Sequence, residues 1–146
     1  MIRVLVQQAA IDLAAEMALL EAGEAGGIAT FTGLVRADDG VELLELEHYP
    51  GVTERALTVL ANEARRRWSL DAATVVHRVG PMRPGERIVF VGTAAAHRAA
   101  ALEACAYLID RLKTDAPFWK REVRGADARW VDQREGDLGA TARWTK

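Results

Sequence analysis

Apolar residues recur at helical spacing in three stretches of this chain and alternate or run together in several shorter ones. Leu13, Met17 and Leu20 give residues 12–21 one apolar stripe, with Asp12 placed to cap it, so this segment is predicted to be a helix. Leu57, Leu60, Ala61, Ala64 and Trp68 do the same for 53–68. Residues 96–112 form the longest predicted helix, with Leu102, Cys105, Ile109 and Leu112 inward and Pro117 ending it. Strands are predicted over 2–6, 28–36, 41–49, 74–80, 87–92, 118–123 and 129–131. Asp39-Gly40 reads as a tight turn joining 28–36 to 41–49 as an antiparallel hairpin. In the second of these strands Leu44, Leu46 and His48 share one face, and Glu45 and Glu47 the other. Pro84-Gly85 suits the centre of a type II turn, because glycine tolerates positive φ there. Gly33 inside a strand signals a bulge or a close backbone approach. Hairpins interspersed with helices argue for an α+β fold with a largely antiparallel sheet.

Length and composition narrow this picture. The 146 residues fit one domain, 1–146, with 132–146 as a polar tail whose anchor is Trp144. Half the residues are apolar and 27% are charged, which suits a packed core. The net charge of −2 offers no general footprint for nucleic acid. No apolar run approaches the roughly 20 residues that cross a bilayer, and the start shows no signal peptide, so a cytoplasmic protein is expected. One cysteine, Cys105, excludes an internal disulfide.

Against this mildly acidic background the cations are clustered. His97-Arg98 fall in the first turn of the long helix, where unpaired backbone N–H groups favour an anion. Cationic side chains there oppose the helix dipole, and a bridging anion would relieve the conflict; a surface pair that happens to start a helix is the plainer reading. Lys113 lies at the other end, where the dipole alone accounts for a lysine. Lys120 follows Phe118-Trp119 in a predicted half-buried strand. Alternation sends Lys120 and Glu122 to one face, and Trp119 and Arg121 to the other. An ordinary lysine must be moved by about 3.4 units, or about 4.6 kcal/mol, to be neutral at pH 7, and burial and neighbouring cations both push that way. Arg36 ends its strand and can reach the same place, although solvation of a hairpin end explains it equally well. His48, His77 and His97 lack metal-ligand spacing, so no metal is expected. Cys105 sits on an apolar stripe and reads as structural. Glu63 and Arg67 read as a surface i,i+4 pair.

Five segments together resemble a known family: Phe31-Thr-Gly-Leu-Val-Arg36, Leu46-Glu-His-Tyr-Pro-Gly51, Val76-His-Arg-Val-Gly80, Ala96-His-Arg98 and Leu112-Lys-Thr-Asp-Ala-Pro-Phe-Trp-Lys-Arg-Glu122. They are similar, in order, to the large catalytic subunit of molybdopterin synthase, the MoaE family. The resemblance implies an α/β hammerhead-type fold and a homodimer within a heterotetramer. It implies a small ubiquitin-like partner whose C-terminal Gly-Gly carries a thiocarboxylate. The implied reaction is sulfur transfer to cyclic pyranopterin monophosphate, forming the dithiolene of molybdopterin, with no cofactor. On this resemblance Lys113 and Lys120 are catalytic, and Arg36, His97, Arg98, Lys113, Lys120, Arg121 and Glu122 bind substrate. Leu34 departs from the pattern: bacterial relatives often carry lysine there. Two other classes remain open from the residues alone. One is a non-catalytic adaptor for a ubiquitin-like tail. The other is a phosphohydrolase using His97, disfavoured because no carboxylate cluster accompanies it.

Overall fold

The computed structural model of the chain describes residues 1–131 and Trp144. The first sheet holds β1 (Ile2–Gln7), β2 (Gly27–Leu34), β4 (Ala72–Arg78) and β6 (Arg87–Ala95), in the order β1-β4-β6-β2. The second holds β3 (Leu43–His48), β5 (Gly80–Met82), β7 (Phe118–Arg124) and β8 (Asp127–Val131), in the order β5-β3-β7-β8. Helices α1 (Leu13–Glu21), α2 (Val52–Trp68) and α3 (Arg98–Asp115) complete an α+β fold. Among the described strands, only β1 with β4 pairs in parallel.

The centre of the first sheet is apolar on both faces, which explains why β4 and β6 read as runs rather than alternations. Ala73 and Val75 face α2 and α3, while Ala72 and Val76 face α1. The helical stripes of α1 and α2 pack as their spacing predicts, and Asp12 accepts a capping bond from the Ala15 N–H at 3.1 Å. Val35, Leu44, Leu46, Val79 and Met82 join the second sheet to the first. The Pro84-Gly85 turn also forms, with Gly85 at φ +91 and the Glu86 N–H donating to the Arg83 carbonyl.

Strand pairing departs from expectation. Residues 28–36 and 41–49 do not form a hairpin: β2 pairs with β6, and β3 pairs with β5 and β7. Asp38–Gly40 is a single 3-10 turn that carries the chain from one sheet to the other. The reason lies in β6, whose two-sided apolar run needs a strand on each edge, and β4 and β2 supply them. The predicted irregularity at Gly33 is present as a register shift between Gly33 and Leu34, and a Cβ there would meet Val89 Cγ1 at 2.8 Å. Leu102 does not face inward and is 61% exposed. The buried stripe of α3 centres on Ala101, Ala104 and Leu108, and Leu102 lies about 120° around the helix from that centre. Small residues win this face because they let the helix approach the sheet closely.

That approach is tightest where β2 begins. A Cβ on Gly26 would lie 2.2 Å from the backbone oxygen of Ala96, and one on Gly27 would lie 3.2 Å from Arg98 Cα. Gly26→Ala is therefore expected to cost about 1–3 kcal/mol, because backbone rather than a movable side chain must yield. Urea denaturation reads it as a lower midpoint at unchanged slope.

Candidate active site

A cavity of about 960 Å³ opens between the two sheets beside the C-terminal turn of α3. Its apolar wall includes Leu44, Leu46, Val89, Val91, Ile109 and Leu112. Arg36, Lys113, Lys120 and Glu122 line it as well, with His77 among the buried positions. The size suits a drug-sized ligand or a threaded peptide end.

Local structure explains how the two lysines reach one place. Pro117 cannot continue α3, so the helix ends at Asp115 with Lys113 in its last turn. The buried Thr53 hydroxyl donates to the Pro117 carbonyl at 2.9 Å and accepts from the Tyr49 N–H at 3.0 Å. This clamp ties the start of α2 to the start of β7. From there the alternation of β7 puts Phe118, Lys120 and Glu122 on the inner face, opposite His48, Leu46 and Leu44 of β3. Arg36 lies beyond the end of β2 rather than within it, and its Nε sits 3.2 Å from Asp38. The other rim carboxylates also have arginine partners: Asp115 with Arg111, and Glu122 with Arg124 at 3.5 Å.

His77 is the site residue that sequence reasoning missed. Its ring stacks on Phe118 with centroids 4.0 Å apart, and Nδ1 lies 2.8 Å from the Arg78 carbonyl. A carbonyl only accepts, so Nδ1 carries the proton and Nε2 is left as the acceptor nitrogen. Burial pushes the imidazole pKa down to about 4, and Lys120, Lys113 and His48 add to the effect, outweighing the Arg78 bond. Both site ammonium groups thus act on one ring. The available signal was a histidine inside the apolar run of β4, which reads as core.

This shift makes stability depend on pH. Unfolded, the imidazole titrates near 6.5, so between about pH 6.5 and 4 the unfolded chain holds the extra proton. The contribution is complete above pH 6.5 and is lost as pH falls towards 4, amounting to about 3 kcal/mol. Denaturation midpoints across that range should fall in the parent chain and stay flatter in His77→Gln.

The remaining predicted residues do not gather with these. His97 caps α3 and Arg98 opens it, both exposed. Lys113 lies sixteen positions along the helix from His97, about 24 Å at 1.5 Å per residue. A rigid helix cannot bring its own two ends to one ligand, so within one chain His97 and Arg98 lie apart from the cavity. Arg121 stands on the outer face, where its Nη2 donates to Glu45 at 2.6 Å, directly across the β3–β7 ladder. Glu63 does not pair with Arg67 but accepts from the Tyr107 hydroxyl at 2.8 Å. Arg67 instead lies over the rings of Trp68, Tyr107 and Trp144. Trp144 is anchored there, as expected; the rest of the predicted tail, 132–143 and 145–146, lies outside the described residues. Cys105 is buried, and burial raises its thiol pKa to about 11, which makes it a poor nucleophile. Among the described residues, no three His, Cys, Asp or Glu side chains group as a metal site. No described helix is long and apolar enough to cross a membrane.

The sequence profile of the MoaE protein family matches residues 6–115. The chain belongs to the MoaE family. It is 52% identical over 129 residues to an Escherichia coli K12 protein named molybdopterin synthase catalytic subunit, covering 86% of each chain. It is similar in structure to the molybdopterin biosynthesis MoaE protein from Burkholderia ambifaria MC40-6. There the TM-score is 0.85 at 46% identity, over 99% of this chain and 98% of that one. A more distant likeness is to a chain of the complex of subunits 1 and 2 of molybdopterin-converting factor from Helicobacter pylori 26695. Its TM-score is 0.77 at 20% identity over 91% of both chains, which speaks for the fold alone. In this MoaE family member the motif from Leu112 to Glu122 spans the end of α3 and the start of β7, the two elements that place both lysines.

Proposed function

We propose that this chain is the catalytic subunit of a molybdopterin synthase and acts as a sulfurtransferase. It takes sulfur from the C-terminal thiocarboxylate of a small ubiquitin-like subunit and delivers it to cyclic pyranopterin monophosphate, forming the dithiolene of molybdopterin. The observation that carries this reading is the placement of Arg36, Lys113 and Lys120 around one apolar-walled cavity.

The chemistry of the cavity supports a division of labour. The partner's Gly-Gly tail threads in because only glycine lets a backbone pass so closely between walls. Arg36 and the lysines hold the phosphate through charge-assisted hydrogen bonds, each contributing about 1.5–3 kcal/mol. Lys113, at the helix end, lies beside the thiocarboxylate and serves as proton donor or transient acyl acceptor. Lys120 supports the developing negative charge, and Glu122 beside it orients the substrate. Sulfur arrives on the partner, so the inert Cys105 has no part to play.

His97 and Arg98 enter this reading only through the homodimer. Because the length of α3 separates them from the lysines of their own chain, they meet the substrate from a second copy. Arg121, held outward by Glu45, supports the strand that carries Lys120. The decisive experiment incubates the purified chain with thiocarboxylated small subunit and the cyclic pterin, with products read by mass spectrometry. Gain of two sulfurs on the pterin bears out the proposal. Tight binding of the small subunit with no sulfur gained would make the chain an adaptor.

A further inference from the structure

Among the described residues, three cations and three carboxylates line the cavity: Arg36, Lys113 and Lys120 against Asp38, Asp115 and Glu122. A lining balanced in this way has no preference for an anion. Asp115 is the hardest of the three carboxylates to account for. It is the last residue of α3, where the negative end of the helix dipole disfavours a carboxylate. It also stands two positions from Lys113, on the wall of a cavity proposed to hold a phosphorylated substrate.

Arg111 resolves this conflict. Its Nε donates to Asp115 Oδ2 at 2.7 Å, and its Nη2 closes on the same oxygen. The Thr114 hydroxyl donates to Asp115 Oδ1 at 3.0 Å, so both carboxylate oxygens are taken. Arg111 is itself held from the side of α2. Its Nη1 donates to the Tyr107 hydroxyl at 3.1 Å, and that hydroxyl donates to Glu63 of α2 at 2.8 Å. Glu63 also stands 3.9 Å from Nη1, at the end of the guanidinium turned from Asp115. Helical spacing alone gives little reason for the pair, because an acid following a base at i,i+4 is the weaker order. Arg111 does not line the cavity, so its charge reaches the site only from behind the wall.

We propose that Arg111 determines the preference of this site for an anionic substrate, acting through Asp115: it neutralises that carboxylate and leaves the lysines in excess. The inference rests on the phosphorylated-substrate reading for its consequence, but not for the electric field itself. Within the lining, Arg36 and Asp38 already offset one another at 3.2 Å. Arg124 does for Glu122, at 3.5 Å, what Arg111 does more closely for Asp115. Left unpaired, the Asp115 carboxylate would cancel the charge of one lysine and repel a phosphate.

The first test needs no substrate. Relaxation of the Lys113 and Thr114 side-chain protons by an anionic nitroxide, divided by that from a cationic one, reports the local potential. At pH 7 this ratio should exceed one in the parent and fall by about twofold or more in Arg111→Gln. It should return to the parental value in the double variant Arg111→Gln/Asp115→Asn. An unmoved ratio in Arg111→Gln overturns the proposal. A fall that persists in the double variant does so too, because Arg111 would then act by bracing the helix.

The second test reads binding of the cyclic pterin by calorimetry. Arg111→Gln should weaken it by about 5- to 10-fold, and adding Asp115→Asn should recover all but about twofold. Asp115→Asn alone leaves the core untouched and should bind at least as tightly as the parent. Weaker binding in that variant, or no recovery in the double variant, overturns the proposal. If the parent chain binds no cyclic pterin, the proposed function fails, and the nitroxide ratio still decides the role of Arg111.

Discussion

Replacing Lys113 with alanine is expected to lower single-turnover sulfur transfer by about 1,000-fold or more, with small-subunit affinity changed less than about threefold. The asymmetry follows from where this lysine stands. It occupies the last turn of α3 and lines the cavity near the apolar wall made by Ile109 and Leu112. Deleting its amine removes a proton donor or acyl acceptor from the reacting end of the threaded tail. The walls that hold the tail are untouched, so a kcat effect without a binding effect is the signature of a group used in the transition state. The substitution is benign to the fold, since Lys113 is exposed and alanine is the best helix former. Stopped reactions analysed by mass spectrometry, with calorimetric titration of the small subunit, separate the two quantities. Near-parental turnover in Lys113→Ala would remove this lysine from the mechanism.

Truncating Leu108 to alanine tests the other half of the design, the packing that holds α3 in place. Leu108 is 1% exposed and lies in the core formed by α2, α3 and the first sheet. Its removal leaves a cavity walled by side chains that cannot fully collapse. The expected cost is about 2–5 kcal/mol, a large part of the stability of a single domain. At about 2–4 °C per kcal/mol for a chain of this size, the melting temperature should fall by about 10 °C. Leu108 does not line the active-site cavity. Well below the transition, kcat should therefore remain within a few-fold of the parent. Circular dichroism melts paired with assays at low temperature give both numbers. A drop in kcat as large as that of Lys113→Ala would mean that α3 transmits strain to the site.

The two residues also mark what kinds of feature a reader of the chain can recover. Helical stripes on α1 and α2, the Asp12 cap and the Pro84-Gly85 turn are all settled by neighbours a few positions apart, and each forms as read. Leu102 shows the limit even within a helix. Its spacing fits an apolar stripe, but Ala101 and Ala104 permit closer approach to the sheet and turn Leu102 out to solvent. The hairpin at Asp39-Gly40 fails for a related reason. Turn chemistry says where a chain reverses, not which edge a strand will join, and β6 competes for β2 with a longer apolar surface. Lys113 and Lys120 were legible as a pair because one proline turn separates them. His97 and Arg98 were legible as cations at a helix start, but the length of α3 places them far from that pair.

The order of residues alone thus determined the helices, the main turns, the α+β class and the lysine motif around Pro117, because each depends on short-range sterics and periodicity. Only the tertiary structure decided which strands pair, that Arg121 turns outward to Glu45, and that His77 joins Lys113 and Lys120 at one cavity. Those outcomes depend on contacts between segments tens of residues apart. There many pairings satisfy the same local pattern, and only burial of the whole core selects among them.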